Sequence, residues 1–436
     1  MKWLVLTVGG SPVPNVQSIE AHKPDRVVFL CSGATESTRQ ASAVMVQGKG
    51  NVCRSSTTPP NAPADLPSIP VQAKLEPRKW KLSVFNIDAD NLDDCYSKSF
   101  DAIAQIRKAD PKAEILADYT GGTKSMSAGL TAAALDDGHV RLVLVTGSRK
   151  GLEKVQMGIT VTAPIGEIVQ RRAFNRARAY LAMRDYAAAA LELSHVEQAS
   201  EKTAALVHRY TVCQAFDAWD RFEHATAFDL LDAGDTQGVY GSYKATLKSI
   251  VTALRLTEED HITPLPVWKT NAGYLLASDI LANGQRRAGR GQFDDAIGRN
   301  YRACELVAQT GLWTMFKVDA GRVSPDQVPK SVGWRDSLAV EPALGFLHSW
   351  ELLAALEPSM GKLWSEWEGP VRHAMERRNY SLLAHGTRPV SKTDYDEDMR
   401  TGMGGFAEAA LGLLAKKRKF NAGLRALDFP TDFLDQ

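Results

Sequence analysis

The sequence predicts an α/β, Rossmann-like N-terminal domain on a mostly parallel sheet, followed by an all-helical C-terminal half, and three observations carry that reading. From Lys2 to about Thr162, short apolar runs alternate with stretches of helical spacing, the order in which strands and crossover helices build a parallel sheet. After Pro164 the strand signals vanish; Ala, Leu, Arg and Glu dominate, and apolar residues recur at helical spacing. The ends of the predicted strands also share one chemistry, glycine with hydroxyl and lysine side chains. The expected division is 1–163 for the α/β domain, 164–330 for a helical scaffold and 331–436 for a second helical domain.

The strands are expected at Lys2–Val8, Arg26–Cys31, Leu82–Asp88, Glu114–Asp118, Val140–Thr146 and Lys154–Thr162, with helices over Glu36–Gln47, Leu92–Ala109 and Ser125–Asp136. Between Asn51 and Lys81 stand Pro59, Pro60, Pro63, Pro67, Pro70 and Pro77, which exclude a regular helix and mark a surface excursion. In the helical half, RARAYLAMRDYAAAALEL from Arg176 resembles RRAGRGQFDDAIGRNYRACEL from Arg286, and both look like tetratricopeptide helix pairs. They stand too far apart for a stacked array, so two hairpins packing a core are expected rather than a peptide-binding groove.

Charge excludes one class of function. Lys plus Arg (52) balances Asp plus Glu (51), so no global basic field holds nucleic acid, and any such contact is local. The apolar run that opens MKWLVLTVGG stops at glycines and reads as a strand rather than a signal peptide. Charged residues interrupt every stretch approaching the roughly 20 residues a membrane helix needs, so a cytoplasmic protein without membrane contact is expected. Five scattered cysteines without a C-x-x-C read as reduced thiols, and the nine histidines show no paired metal spacing. No metal site is expected, and the chemistry should be metal-independent.

In open α/β sheets ligands collect beyond the carboxyl ends of the strands. There the first strand runs into Gly9, Gly10 and Ser11, and the second into Ser32, Gly33, Ala34 and Thr35. The fourth runs into Thr120, Gly121, Gly122, Thr123 and Lys124, and the fifth into Thr146, Gly147 and Ser148. Glycine lets backbone N–H groups approach a ligand, and hydroxyls and lysine donate to anionic oxygens, so this is a phosphate-binding rim. In DYTGGTKSMSAGL (Asp118–Leu130) a strand end, a glycine pair and a lysine precede a helix N-terminus, which attracts anions. A Walker A loop needs glycine directly before its lysine, where this chain has Thr123, and TVGGSP lacks the G-x-G-x-x-G of dinucleotide sites.

The pair LVLTVGGSPVP and DYTGGTKSMSAGL, over about Met1–Thr162, resembles the CARF domain of CRISPR-associated effectors from type III systems, which bind cyclic oligoadenylates. The resemblance implies a homodimer with one ring ligand across its two-fold axis, which favours rings of even number. It implies a cyclic tetra-adenylate activator, cyclic hexa-adenylate being the alternative. Gly10, Ser11, Thr120, Gly121, Gly122, Thr123 and Lys124 match the family's two motifs and are the implied contacts. Ser32, Thr35, Thr146 and Ser148 join them by strand-end position alone.

Further on, GPVRHAMERRNYSLLAHGTRPV (Gly369–Val390) places Pro370 at an expected first helical position and Gly386 at an expected C-cap, so one helix should span about Val371–His385. Arg378 and His385 would then share a face, with Cα atoms about 10 Å apart and Asn379 about 100° around from Arg378. The run RNYSLLAH (Arg378–His385) fits the arginine, four to six residues, histidine pattern of HEPN ribonucleases, with asparagine after the arginine as in many members. Behind a CARF-like domain, it resembles the CARF-HEPN ribonucleases of type III systems. The resemblance implies single-stranded RNA cleavage in antiviral defence, with His385 exchanging protons, Arg378 holding phosphate and Asn379 assisting. RNA supplies its own 2′-hydroxyl nucleophile, so 2′,3′-cyclic phosphate products are expected.

Bland roles stand beside these. Arg372, Arg377 and Arg388 could track an RNA backbone and Tyr380 stack a base, but such residues are more often solvated or packed. His348 and His373 read as structural, and Trp364 and Trp367 as core. Two other functions stay open: a ring-binding sensor whose helical half recruits a partner, and a first domain that itself cleaves the ring with Ser11 and Lys124.

Overall fold

The computed structural model describes residues 1–33, 41–55, 62–81, 83–147, 158–199, 203–235, 238–258, 269–337, 343–418 and 428–433. They form two compact units that divide at Arg171 and Arg172. The expected division at 163 and 164 falls just before α6 (Gly166–Ala182), the helix in which the units part.

The first unit is a six-stranded sheet of β1 (Lys2–Val8), β2 (Arg26–Ser32), β5 (Val84–Ile87), β6 (Glu114–Asp118), β7 (Arg141–Gly147) and β8 (Gly158–Thr162), in the order β5-β2-β1-β6-β7-β8. All neighbours are parallel except the last pair. Along β1, Leu4, Leu6 and Val8 join Val27, Phe29 and Cys31 in one core, while Val5 joins Val28, Leu30, Ile115 and Ala117 in another. That alternation puts the second core under α4 (Leu92–Ala109) and α5 (Lys124–Asp137), and makes both sheet faces apolar, as buried parallel strands require.

Helix α1 (Val13–His22) was not among the expected helices; it carries prolines at its start, and its cap residue Lys23 is left-handed. Of the expected helix Glu36–Gln47, residues 36–40 lie outside the described residues, and only α2 (Val44–Gln47) is helical. The proline-rich excursion holds a small antiparallel pair, β3 (Asn51–Cys53) and β4 (Leu66–Pro67), and the one-turn helix α3 (Ile69–Gln72), whose second residue is Pro70. Of the expected strand Lys154–Thr162, residues 154–157 lie outside the described residues.

The second unit continues with α7 (Tyr186–Ala199), α8 (Ala204–Asp220), α9 (His224–Gly234), α10 (Gly241–Glu258), α11 (Ala272–Gly289) and α12 (Phe293–Phe316). It ends with α13 (Phe346–Leu356), α14 (Pro358–Asn379), α15 (Lys392–Thr401) and α16 (Met403–Arg418). The two resembling stretches are helical hairpins, α6/α7 and α11/α12, and α8/α9 is a third. In each, the residue two before the second helix has positive φ: Arg184 at 55°, Phe222 at 65° and Gly291 at 77°. One core runs from Tyr274 on α11 to Leu414 on α16. The expected boundary at 330 and 331 falls inside that core, since Leu306, Val307 and Leu312 of α12 pack with Trp350, Leu353 and Phe406.

Candidate functional sites

Strand order reverses between β1, which leads outward through β2 to β5, and β6, which leads the other way through β7. A crevice therefore opens beyond the carboxyl ends of β1 and β6, and both glycine motifs meet there. A Cβ on Gly9 would lie 2.5 Å from the Gly122 nitrogen, and one on Gly121 would lie 2.4 Å from the Thr7 carbonyl oxygen. The Thr7 hydroxyl donates to the Gly121 carbonyl at 2.7 Å, and Gly122 has φ +82°. These glycines let two loops touch, while Gly10 has open space where its Cβ would be.

A cavity of about 590 Å³ lies at this rim. Gly10, Ser32, Gly122 and Thr123 of the expected contacts line it, together with Ser42 and Met45 from the stretch between β2 and β3 and Arg54 just after β3. Those three are not among the expected contacts, because Ser42 and Met45 stand well beyond the end of the second strand and Arg54 follows β3, a strand that was not expected. Ser32 and Ser42 fix each other, each backbone N–H donating to the other's hydroxyl at 2.8 and 2.9 Å. Thr123 caps α5, accepting from the Met126 N–H at 3.3 Å and donating to the Ala89 carbonyl. Lys124 is the first residue of α5 and is exposed, and Ser11 is half-buried just before α1; neither lines the cavity.

Thr120 and Gly121 do structural work. The Thr120 hydroxyl accepts from the Val145 N–H at 2.7 Å, tying the loop to β7, and Gly121 supplies the carbonyl that Thr7 and Ser127 hold. Thr146 is half-buried within β7, away from the cavity lining. Thr35 and Ser148 lie outside the described residues. Beneath the rim, Asp118 is almost wholly buried; burial raises its pKa above the ordinary carboxylate value, while hydrogen bonding from Thr120 opposes that rise.

In the second unit the expected helix over Val371–His385 is corrected. Helix α14 begins at Pro358, passes through Pro370 in its interior, and ends at Asn379 with Tyr380 as its cap. Met360, Trp364, Val371 and Ala374 form its buried stripe, and that packing carries it past the proline. Gly386 is not its C-cap. Instead the chain folds back: the Arg388 N–H donates to the Tyr380 carbonyl at 3.1 Å, and the Leu382 N–H to the Arg388 carbonyl at 3.2 Å. Gly386 is needed because a Cβ there would lie 2.1 Å from the Tyr380 oxygen.

Arg378 and His385 therefore do not share a helical face. The fold-back brings them near each other another way, since the His385 N–H donates to the Asn379 carbonyl at 3.2 Å. The His385 side chain is exposed. The Arg378 guanidinium lies 4.5 Å from the centre of the Tyr301 ring on α12 and donates to the Asn379 side-chain oxygen at 3.2 Å. Among the described residues no carboxylate pairs with it. Its neighbours differ: Arg377 pairs with Glu397, Arg372 with Glu351 and Glu368, and Arg388 with Asp394 at 3.6 Å. Tyr301, beneath Arg378, is the residue the sequence reading missed. His348 stacks on Trp334, and Trp364 packs with Trp350 and Phe406.

Residues 266–405 match the model of the Csm6 HEPN domain family. Over 100% of its length the chain is similar to Enterococcus italicus Csm6 bound to cyclic hexa-2′-fluoro-hexa-dAMP, covering 97% of that chain with a TM-score of 0.59 and 15% identity. Over residues 266–405 the chain is thus similar to the HEPN domain of Csm6, and as a whole its fold is similar to that of the Csm6 structure. The HEPN match, beginning at residue 266, takes in α11 and α12 together with Arg378 and His385, and the glycine rim lies in the other unit. At that identity the structural likeness speaks for the fold. No curated protein matches the chain in sequence. No helix among the described residues is long and apolar enough to cross a membrane.

Proposed function

We propose that this chain is a CARF-HEPN endoribonuclease for single-stranded RNA, activated when a cyclic oligoadenylate binds its glycine rim, and that it works as a homodimer in the cytoplasm. One observation carries the nuclease reading: within a matched HEPN domain, an exposed His385 is folded back onto the helix end that holds Arg378, an arginine that no carboxylate among the described residues neutralises. The 2′-oxygen of RNA attacks the adjacent phosphorus while His385 accepts its proton; the bond from phosphorus to the 5′-oxygen breaks, and that oxygen takes up a proton. Arg378 holds the phosphate as negative charge grows, and Asn379 holds Arg378. The products are a 2′,3′-cyclic phosphate and a free 5′-hydroxyl. Tyr380, Leu382 and Leu383, 69%, 60% and 63% exposed beside His385, support a second copy facing this loop.

The activator is a ring of even number. Four adenylates follow from the family resemblance and six from the analogue held by the similar structure. A fluorogenic RNA assay with rings of three, four and six adenylates tests the reading. His385→Ala or Arg378→Ala should lower ring-stimulated cleavage by about 10²-fold to 10⁴-fold while ring binding and dimerisation persist. An all-deoxyribose substrate should resist, and chelators should have no effect. Rapid cutting of that DNA, or strict dependence on a divalent ion, would overturn the mechanism.

A further inference from the structure

The segment Asp428–Phe433 lies against helices far from it in sequence. Phe429 and Phe433 are each 3% exposed, while Asp428, Thr431 and Asp432 between and beside them face solvent. The Phe429 ring enters an aromatic cradle, with ring centres 5.6 Å from Tyr186 on α7 and 4.8 and 4.9 Å from Phe216 and Trp219 on α8. From the other side the Arg286 guanidinium of α11 lies 3.7 Å from its centre, while its Nε donates to Asp220 at 2.8 Å.

The backbone of the segment is held as well as its side chains. The Tyr186 hydroxyl donates to the Pro430 carbonyl at 2.8 Å, and the Tyr243 hydroxyl of α10 donates to the Asp428 carbonyl at 2.7 Å. Arg184, in the left-handed turn between α6 and α7, pairs with the Asp428 carboxylate at 2.9 Å. Two apolar anchors four residues apart, with exposed residues between them and main-chain carbonyls read by fixed donors, are the contact pattern of a docked peptide rather than of a continuous core element. Four helices contribute: α7, α8, α10 and α11.

We infer that α7, α8, α10 and α11 form a peptide-recognition groove selective for a Phe-Pro-x-x-Phe segment, and that Asp428–Phe433 of this chain is its intramolecular occupant. The sequence reading had set a peptide groove aside in favour of hairpins that only pack a core. The hairpins do pack a core, and the groove is what they leave on its flank. The inference is independent of the nuclease reading.

The experiment frees the groove without shortening the chain. In Phe429→Ala/Phe433→Ala, a fluorescein-labelled peptide of Asp428–Gln436 should bind saturably by anisotropy, at least about tenfold tighter than to the wild-type chain, whose own segment competes. The same peptide carrying Phe429→Ala should bind at least about tenfold more weakly. Equal binding to both chains, or none to a variant that keeps its circular dichroism, would overturn the inference. If that variant does not fold, Tyr186→Phe/Tyr243→Phe decides: losing both hydroxyls should speed chymotrypsin cleavage after Phe433, which is followed by leucine and is buried in the wild type, several-fold with cleavage elsewhere unchanged. An unchanged rate after Phe433 would show that the segment is not held as a ligand.

Discussion

Asp118 carries a carboxylate that burial has taken out of water, at the strand end where the glycine motif begins. With its folded pKa raised, the native chain binds more protons than the unfolded one once the pH climbs past the ordinary carboxylate value, so stability falls through that window and the cost is full at neutral pH. Asp118→Asn removes the ionisation and keeps an oxygen to accept the Thr120 N–H, which Asp118 now does at 2.8 Å. The variant should melt higher than the wild type at neutral pH, and the gap should narrow as pH falls toward the ordinary carboxylate value. A gap that does not change with pH would show that Asp118 ionises as freely in the folded chain as in the unfolded one. The same loop shows where residue-level reading stopped. Thr120 and Gly121 have the right chemistry for a ligand, but their groups turn inward to Val145 and Thr7, and spacing alone does not say which way a loop residue points.

At the scale of elements, β1, β6 and α4 have the bounds expected of them. Each is an apolar or amphipathic run closed by a charge, a glycine or a cap; Asn91, for example, accepts from the Asp94 N–H to start α4. Helix α14 differs from its expected bounds because it holds two prolines, and the one in the favoured first turn is Pro358, not Pro370. Pro370 is tolerated inside the helix because it and Glu366, whose carbonyl loses its partner, are exposed to water, while Trp364, Val371 and Ala374 stay anchored. Pro370→Ala restores one helical hydrogen bond and should stabilise the chain by about 1–3 kcal/mol. Denaturant melts measure it, and a destabilised variant would show that the proline sets a bend the HEPN core needs.

At the scale of the whole molecule, the change from strand to helix after Pro164 was legible because sheet and helix periods differ, but the limits of the helical domains were not. Helix α12 joins the same core as α14 and α16, and nothing in a run of amphipathic helices says which neighbours share a core. The glycine rim and the Arg378–His385 fold-back fall in different compact units, so the roles proposed for them can be tested by separate mutations. Lys124 opens α5 in the first unit, at the N-terminal end where a helix favours anions, and it is exposed. If it donates to a phosphate of the ring, Lys124→Ala removes a charge-assisted hydrogen bond of about 1.5–3 kcal/mol, or roughly 10-fold to 150-fold in ring affinity. Since Arg378 and His385 are untouched, the ring concentration for half-activation should rise by that factor while cleavage at saturating ring is largely kept. Titrating ring against RNA cleavage, alongside direct ring binding, separates the two quantities. A lowered plateau with unchanged ring affinity would place Lys124 in the coupling between the units rather than in the ring site, and unchanged values of both would remove it from the sensor.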